Sequence, residues 1–187
     1  MAKKINYDVY AGHKTIYHIC NELINNVYNH TPIEKGYADY AYTYSQEYPS
    51  LKKLDISIMD DGVSIPGKFE EKGFDFKDDC DAIYQAISST STSKQIKDDP
   101  NKSRGHGLWT TLRLVVECNE GSALIVSRQG CLHIKSKDNF KYYHLQNNNI
   151  FKGTLISLKL NNNQVQNYYE QIELGPIHDY KYAEGEL

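Results

Sequence analysis

The chain has 187 residues, enough for one domain with a buried core. Its 24 acidic and 21 basic side chains leave a formal charge of −3, which argues against the basic excess of a chain-wide nucleic-acid footprint. No apolar run is long enough to span a bilayer, and the opening Met-Ala-Lys-Lys-Ile-Asn-Tyr-Asp carries no apolar signal core. Cys20, Cys80, Cys118 and Cys131 form no CxxC pair, so the expectation is reduced thiols in a soluble, cytosolic protein.

From His13 to His30, Ile16, Ile19, Cys20, Leu23, Ile24 and Val27 recur at three- and four-residue intervals, the period of an amphipathic helix. Tyr37, Tyr40, Tyr42, Tyr44 and Tyr48 crowd the connection that follows and read as packing or as a partner surface. Leu54 to Met59 alternates and runs into Asp60-Asp61-Gly62, a strand ending in a turn. Asp79 to Ser88 predicts a short helix. The polar run 88–103 has little capacity to pack and reads as a functional lid or a disordered loop. Leu108 to Glu117 predicts a third helix, opened by Gly105 and Gly107. Strands are expected over 122–127, 131–135 and 154–160, with turn signals at Gly121-Ser122 and Gln129-Gly130, and a short helix over 165–172. The sum is an α/β chain with an antiparallel hairpin region after the third helix.

Three groups of residues carry chemistry. Glu22 and Asn26 are four apart on one helix face beside the apolar stripe. A carboxylate there can deprotonate a water or hydroxyl, and an amide oxygen can join the shell of a hard cation such as Mg²⁺. Asp60 ends a strand, and its carboxylate can only accept hydrogen bonds. Gly62 suits a turn needing positive φ or a close ligand approach. Gly105-His106-Gly107-Leu108 opens a helix, where glycines and the first N–H groups make a phosphate cradle. Lys94, Lys97, Lys102 and Arg104 place positive charge just before it. His13, His18 and Cys20 lack a second cluster to complete a metal site.

In this order and spacing, the segments 22–30, 58–66 and 103–108 resemble the N, G1 and G2 boxes of the GHKL superfamily of gyrase, heat-shock chaperones, histidine kinases and MutL. Thr92-Ser93-Lys94-Gln95-Ile96 is similar to the lid signature of its MutL-type members, and Gly153-Thr154 to its G3 element. The resemblance covers roughly residues 13 to 160. It implies a two-layer α/β sandwich, with helices on one face of a mixed, mainly antiparallel sheet. It implies an ATP-binding domain over 1–160, with a lid at about 88–104, followed by a tail at 161–187. ATP and Mg²⁺ are the implied cofactors. Asn26 would hold Mg²⁺, Glu22 would be the base and Lys94 would neutralise the terminal phosphate. The nucleotide would be lined by Asp60, Gly62, Ser64, Ile65, Thr92, Ser93, Arg104, Gly105, His106, Gly107, Leu108 and Thr154. Two departures stand out: Val27 replaces a small Ala, and Ser64 stands where the family has its second Gly. A Ser held at positive φ would cost about 1–2 kcal/mol.

In size and in its Glu–Asn helix the chain looks most like the anti-sigma-factor serine kinases. The resemblance leaves three activities open: an ATPase whose lid is read by a protein partner, a serine or histidine kinase acting on a co-encoded partner, and a non-catalytic nucleotide sensor. It implies neither a membrane nor a nucleic acid as partner and leaves room for a homodimer.

Overall fold

The computed structural model describes residues 9–30, 40–88, 107–147, 149–174 and 180–182. It is a two-layer α/β sandwich, and its sheet is antiparallel at every strand pair. The strands are β1 (Ala41–Tyr48), β2 (Lys53–Asp60), β3 (Ser122–Arg128), β4 (Gly130–Ser136), β5 (Asn139–His144) and β6 (Phe151–Asn161). They lie in the order β1-β2-β6-β3-β4-β5, so the last strand inserts between the first hairpin and the second. The helices are α1 (His13–His30), α2 (Ile65–Lys72), α3 (Asp79–Ile87), α4 (Gly107–Leu112, continued by a π-helical turn over Arg113–Cys118) and α5 (Tyr168–Glu173).

Period-two alternation decides which face is covered. Leu54, Ile56 and Ile58 of β2, Ile156, Leu158 and Leu160 of β6, Ala123 and Ile125 of β3, and Leu132 and Ile134 of β4 are all buried. Ile16, Ile19, Leu23 and Val27 of α1 join them in one core. Ile24, counted in the apolar stripe, is instead 42% exposed, because the stripe drifts round the helix.

Several elements differ from expectation. From Ala41 to Tyr48 the tyrosine-dense connection is an edge strand; Tyr42 and Tyr44 lie exposed on it and Tyr40 exposed just before it, while Tyr37 lies outside the described residues. α2 is a helix where only a turn was expected; Ser64 caps it, accepting from Gly67 N–H at 3.1 Å, and Ile65-Pro66 opens it. β5 adds a strand beyond the expected hairpin. α4 ends in the π turn, with Asn119 N–H bonded five residues back to the Leu114 carbonyl. There the fully buried Arg113 reaches Gln171 Oε1 at 3.0 Å and the Leu174 carbonyl at 3.4 Å, so the segment after β6 packs on this helix. Among the described residues no helix is long and apolar enough to cross a membrane.

Candidate functional site

Strand register builds one end of the site. Asp60, the last residue of β2, faces Thr154 in β6, which faces Ser127 in β3, which faces Gly130 in β4, which faces His144 in β5. The row crosses the covered side of the sheet, so polar groups appear there at the rim of an apolar core. Asp60 is 6% exposed. Its Oδ1 accepts from Gly62 N–H at 2.9 Å, and Thr154 N–H also bonds the carboxylate. Burial pushes the Asp60 pKa up from 3.8; the two N–H bonds oppose that shift, and neighbouring Asp61 adds to it. Asp61 points elsewhere, accepting from Tyr40 N–H at 2.9 Å and pairing with Lys152 at 3.3 Å. The two adjacent aspartates therefore divide the work: Asp60 faces the site, and Asp61 ties the edge strand down.

Ser127 is the residue that sequence reasoning missed. Grouped with Arg128-Gln129-Gly130, it reads as part of a hairpin turn, and Arg128 does turn there at φ +56°. Yet Ser127 is fully buried and holds three segments together. Its hydroxyl accepts from Ile65 N–H at 2.9 Å and donates to the Gly153 carbonyl at 3.0 Å. With that one proton spent, the 3.0 Å contact with Thr154 Oγ1 has Thr154 as donor. The G1-like turn and the Gly153-Thr154 pair are thus clamped to one hydroxyl. The only sequence signal is a small polar residue ending the run Ala-Leu-Ile-Val.

The glycines need correction. Among the described residues positive-φ glycines are Gly12, Gly73 and Gly153, so Gly62 does not supply a left-handed turn. Gly153 does, at φ +84°; a Cβ there would collide with the Asp60 carbonyl and lie 2.8 Å from Oδ1. Ser64, at φ −62°, carries no left-handed strain either, so its departure from the glycine pattern costs nothing in backbone conformation and gains a helix cap.

The other end of the site is on the helices. α1 packs over β2 and against α4, and half-buried Glu22 faces the first residue of α4. A Cβ on Gly107 would collide with Glu22 Oε2, so the glycine leaves the space the carboxylate occupies. Asn26 stands one turn further along α1 and is half-buried; Leu108 and Ile65 pack against the core. His18 stands one turn before Glu22, edge-on to Tyr168 of α5 at 6.0 Å. Its Nε2 is buried without a hydrogen-bond partner among the described residues. Burial pushes the His18 pKa down, partly opposed by the Glu22 charge.

Thr92, Ser93, Lys94, Arg104, Gly105 and His106 lie outside the described residues, as does the expected lid beyond Ser88. The structure therefore brings together Asp60, Gly62, Ser64, Ile65 and Thr154 at the sheet end, and Glu22 and Gly107 at the helix end, with Asn26 and Leu108 on the same two helices. Compared with known proteins, the chain matches no family model and no curated protein.

For Mg-ATP the donor set is chemically suitable. Asn26 offers a neutral amide oxygen and Glu22 a carboxylate, both hard oxygen donors of the kind Mg²⁺ takes. Asp60 offers a buried acceptor with lone pairs left after its two N–H bonds.

Proposed function

We propose that this chain binds ATP with Mg²⁺ and passes the terminal phosphoryl group to an oxygen nucleophile, as an ATPase module of the GHKL kind working with a protein partner. The observation that carries the reading is the meeting of Glu22 with Gly107. A candidate base on α1 and the glycine that starts α4 are far apart in sequence, yet only the absent Cβ of Gly107 lets the carboxylate sit where it does.

In this reading Asp60 accepts the adenine amino proton, a charge-assisted bond worth about 1.5–3 kcal/mol. Ser127 and Thr154 hold the base edge in place through their shared hydroxyl contact. The first N–H groups at Gly107 face the phosphates along the helix dipole. Asn26 would hold Mg²⁺, which when bound supplies charge neutralisation on the phosphates. Glu22 orients the attacking water and takes its proton. Lys94 and Arg104 belong to the same proposal as groups that neutralise charge on the phosphates.

The test is phosphate release from Mg-ATP by the protein beside its Glu22→Ala variant. The expected result is turnover that the variant loses by about 10²-fold or more, while its ATP affinity changes little. Binding without release in either protein would move the activity to phosphotransfer onto a partner hydroxyl, read as label leaving the γ-phosphate for a second protein. Absence of ATP binding in the wild type would end the reading.

A further inference from the structure

At the far end of the same row of residues, three side chains of different chemistry converge. Asp78 precedes α3, Cys80 lies in its first turn, and His144 ends β5. One ligand atom from each lies within 4.8 Å of the others, and His144 Nε2 is 3.7 Å from Asp78 Oδ2. Cys80 is fully buried and its Sγ contacts the Tyr143 carbonyl at 3.2 Å, beside the histidine. Asp78 and His144 line the wall of an open cleft of about 500 Å³, with Asp79, Arg128, Gln129 and Ile150 around it.

Two features make this more than proximity. The Asp78 carboxylate is already oriented: Oδ1 accepts from Cys80 and Asp81 N–H at 2.9 Å each, and Oδ2 accepts from Tyr182 O–H at 2.7 Å. Such outer hydrogen bonds aim a ligand and raise its affinity for metal. The local charge is also unbalanced. Arg128 is shared between Glu70 at 2.7 Å and Asp79 at 2.9 Å, while the basic side chain in contact with Asp78 is His144, charged only when protonated.

We propose that Asp78, Cys80 and His144 bind a divalent ion of the zinc class, leaving a fourth coordination position open to the cleft. A thiolate, an imidazole and a carboxylate are the donor mixture that selects zinc or cobalt over magnesium or calcium. On binding, the Sγ–H bond of Cys80 breaks, its proton passes to solvent and the sulfur donates its electron pair to the metal. The site stands apart from the nucleotide reading: Asp60 and His144 are four strand spacings apart in the row, roughly 19 Å.

The probe is Co²⁺, titrated into the chelator-treated full chain and followed by absorbance. The expected result is one equivalent bound, with a thiolate-to-cobalt charge-transfer band and tetrahedral d–d bands that Zn²⁺ removes and Mg²⁺ does not. Cys80→Ser should abolish the charge-transfer band. Because Cys80 is in the core and its replacement can disturb folding, His144→Ala and Asp78→Asn provide the second arm; asparagine keeps the helix cap. Each should weaken Co²⁺ binding at least tenfold with an unchanged circular dichroism spectrum. A band that survives in Cys80→Ser, affinity unchanged in both other variants, or no band at saturating Co²⁺ would each overturn the assignment.

Discussion

Two carboxylates, each backed by a glycine, define the two ends of the candidate site, and they are held in opposite ways. Asp60 is buried, bonded by two backbone N–H groups and backed by Gly153, whose missing Cβ makes room for the Asp60 main chain. Glu22 is half-buried on a helix surface and backed by Gly107, whose missing Cβ makes room only for the tip of the glutamate side chain. A collision with backbone must be relieved by moving a strand, whereas a collision with a side-chain tip is relieved by a rotamer. The Asp60 end is therefore part of the fold's stability, and the Glu22 end is adjustable. That division suits the proposed reading, in which Asp60 recognises the base and Glu22 acts on the phosphate.

Gly153→Ala tests the rigid end and should have the largest effect among the changes that probe this contrast. It combines a positive φ with an overpacked contact, for an expected loss of about 2–4 kcal/mol in denaturant unfolding. A loss under about 0.5 kcal/mol would mean that β6 yields locally and that the Asp60 end is not rigid.

Asp60→Asn separates recognition from folding. The amide oxygen can keep the Gly62 bond, but its NH₂ then meets the adenine amino group donor to donor. ATP affinity by calorimetry should fall at least roughly tenfold, while stability at pH 7 holds or rises. The sign follows from burial. The folded-state pKa of Asp60 is raised above 3.8, so the ionised form costs stability above the folded pKa, and that cost disappears as pH falls toward 3.8. The wild type should accordingly gain stability relative to Asp60→Asn as the pH is lowered through that window. Unchanged ATP affinity would remove Asp60 from the site.

Gly107→Ala should be the mildest change in stability, within about 0.5 kcal/mol, since alanine is the better helix former and Glu22 can swing away. Phosphate release should nevertheless fall about tenfold, because the carboxylate is the group that moves. Equal losses of stability and turnover would erase the contrast between the two ends.

Much of the fold was legible in periodicity. The apolar stripe from Ile16 to Val27, the alternation before Asp60, and the strands over 122–127, 131–135 and 154–160 all correspond to observed elements. β1 was hidden because the alternating Tyr40, Tyr42 and Tyr44 face solvent on an edge and read equally well as a packing or partner surface. α2 was hidden because Ser64 was weighed as a replaced glycine and not as a helix cap. Within the candidate site, the Glu22–Asn26 pair is named from helical spacing and Asp60 from the resemblance of its turn. Ser127 could not be named, because its importance comes from Ile65, Gly153 and Thr154 arriving from three other segments.

Local patterning thus settled what lies close along the chain: one face of a helix, one side of a strand, a carboxylate at a strand end. Those properties depend on a few neighbouring residues and on the fixed periods of helix and strand. Tertiary structure settled what depends on strand order and close approach, because insertion of β6 between β2 and β3 sets the row from Asp60 to His144. The same packing makes Gly153 and Gly107 obligatory neighbours of two different carboxylates and brings Asp78, Cys80 and His144 together from two distant elements. No residue in those sets announces its partners, since what joins them is the excluded volume of a packed core.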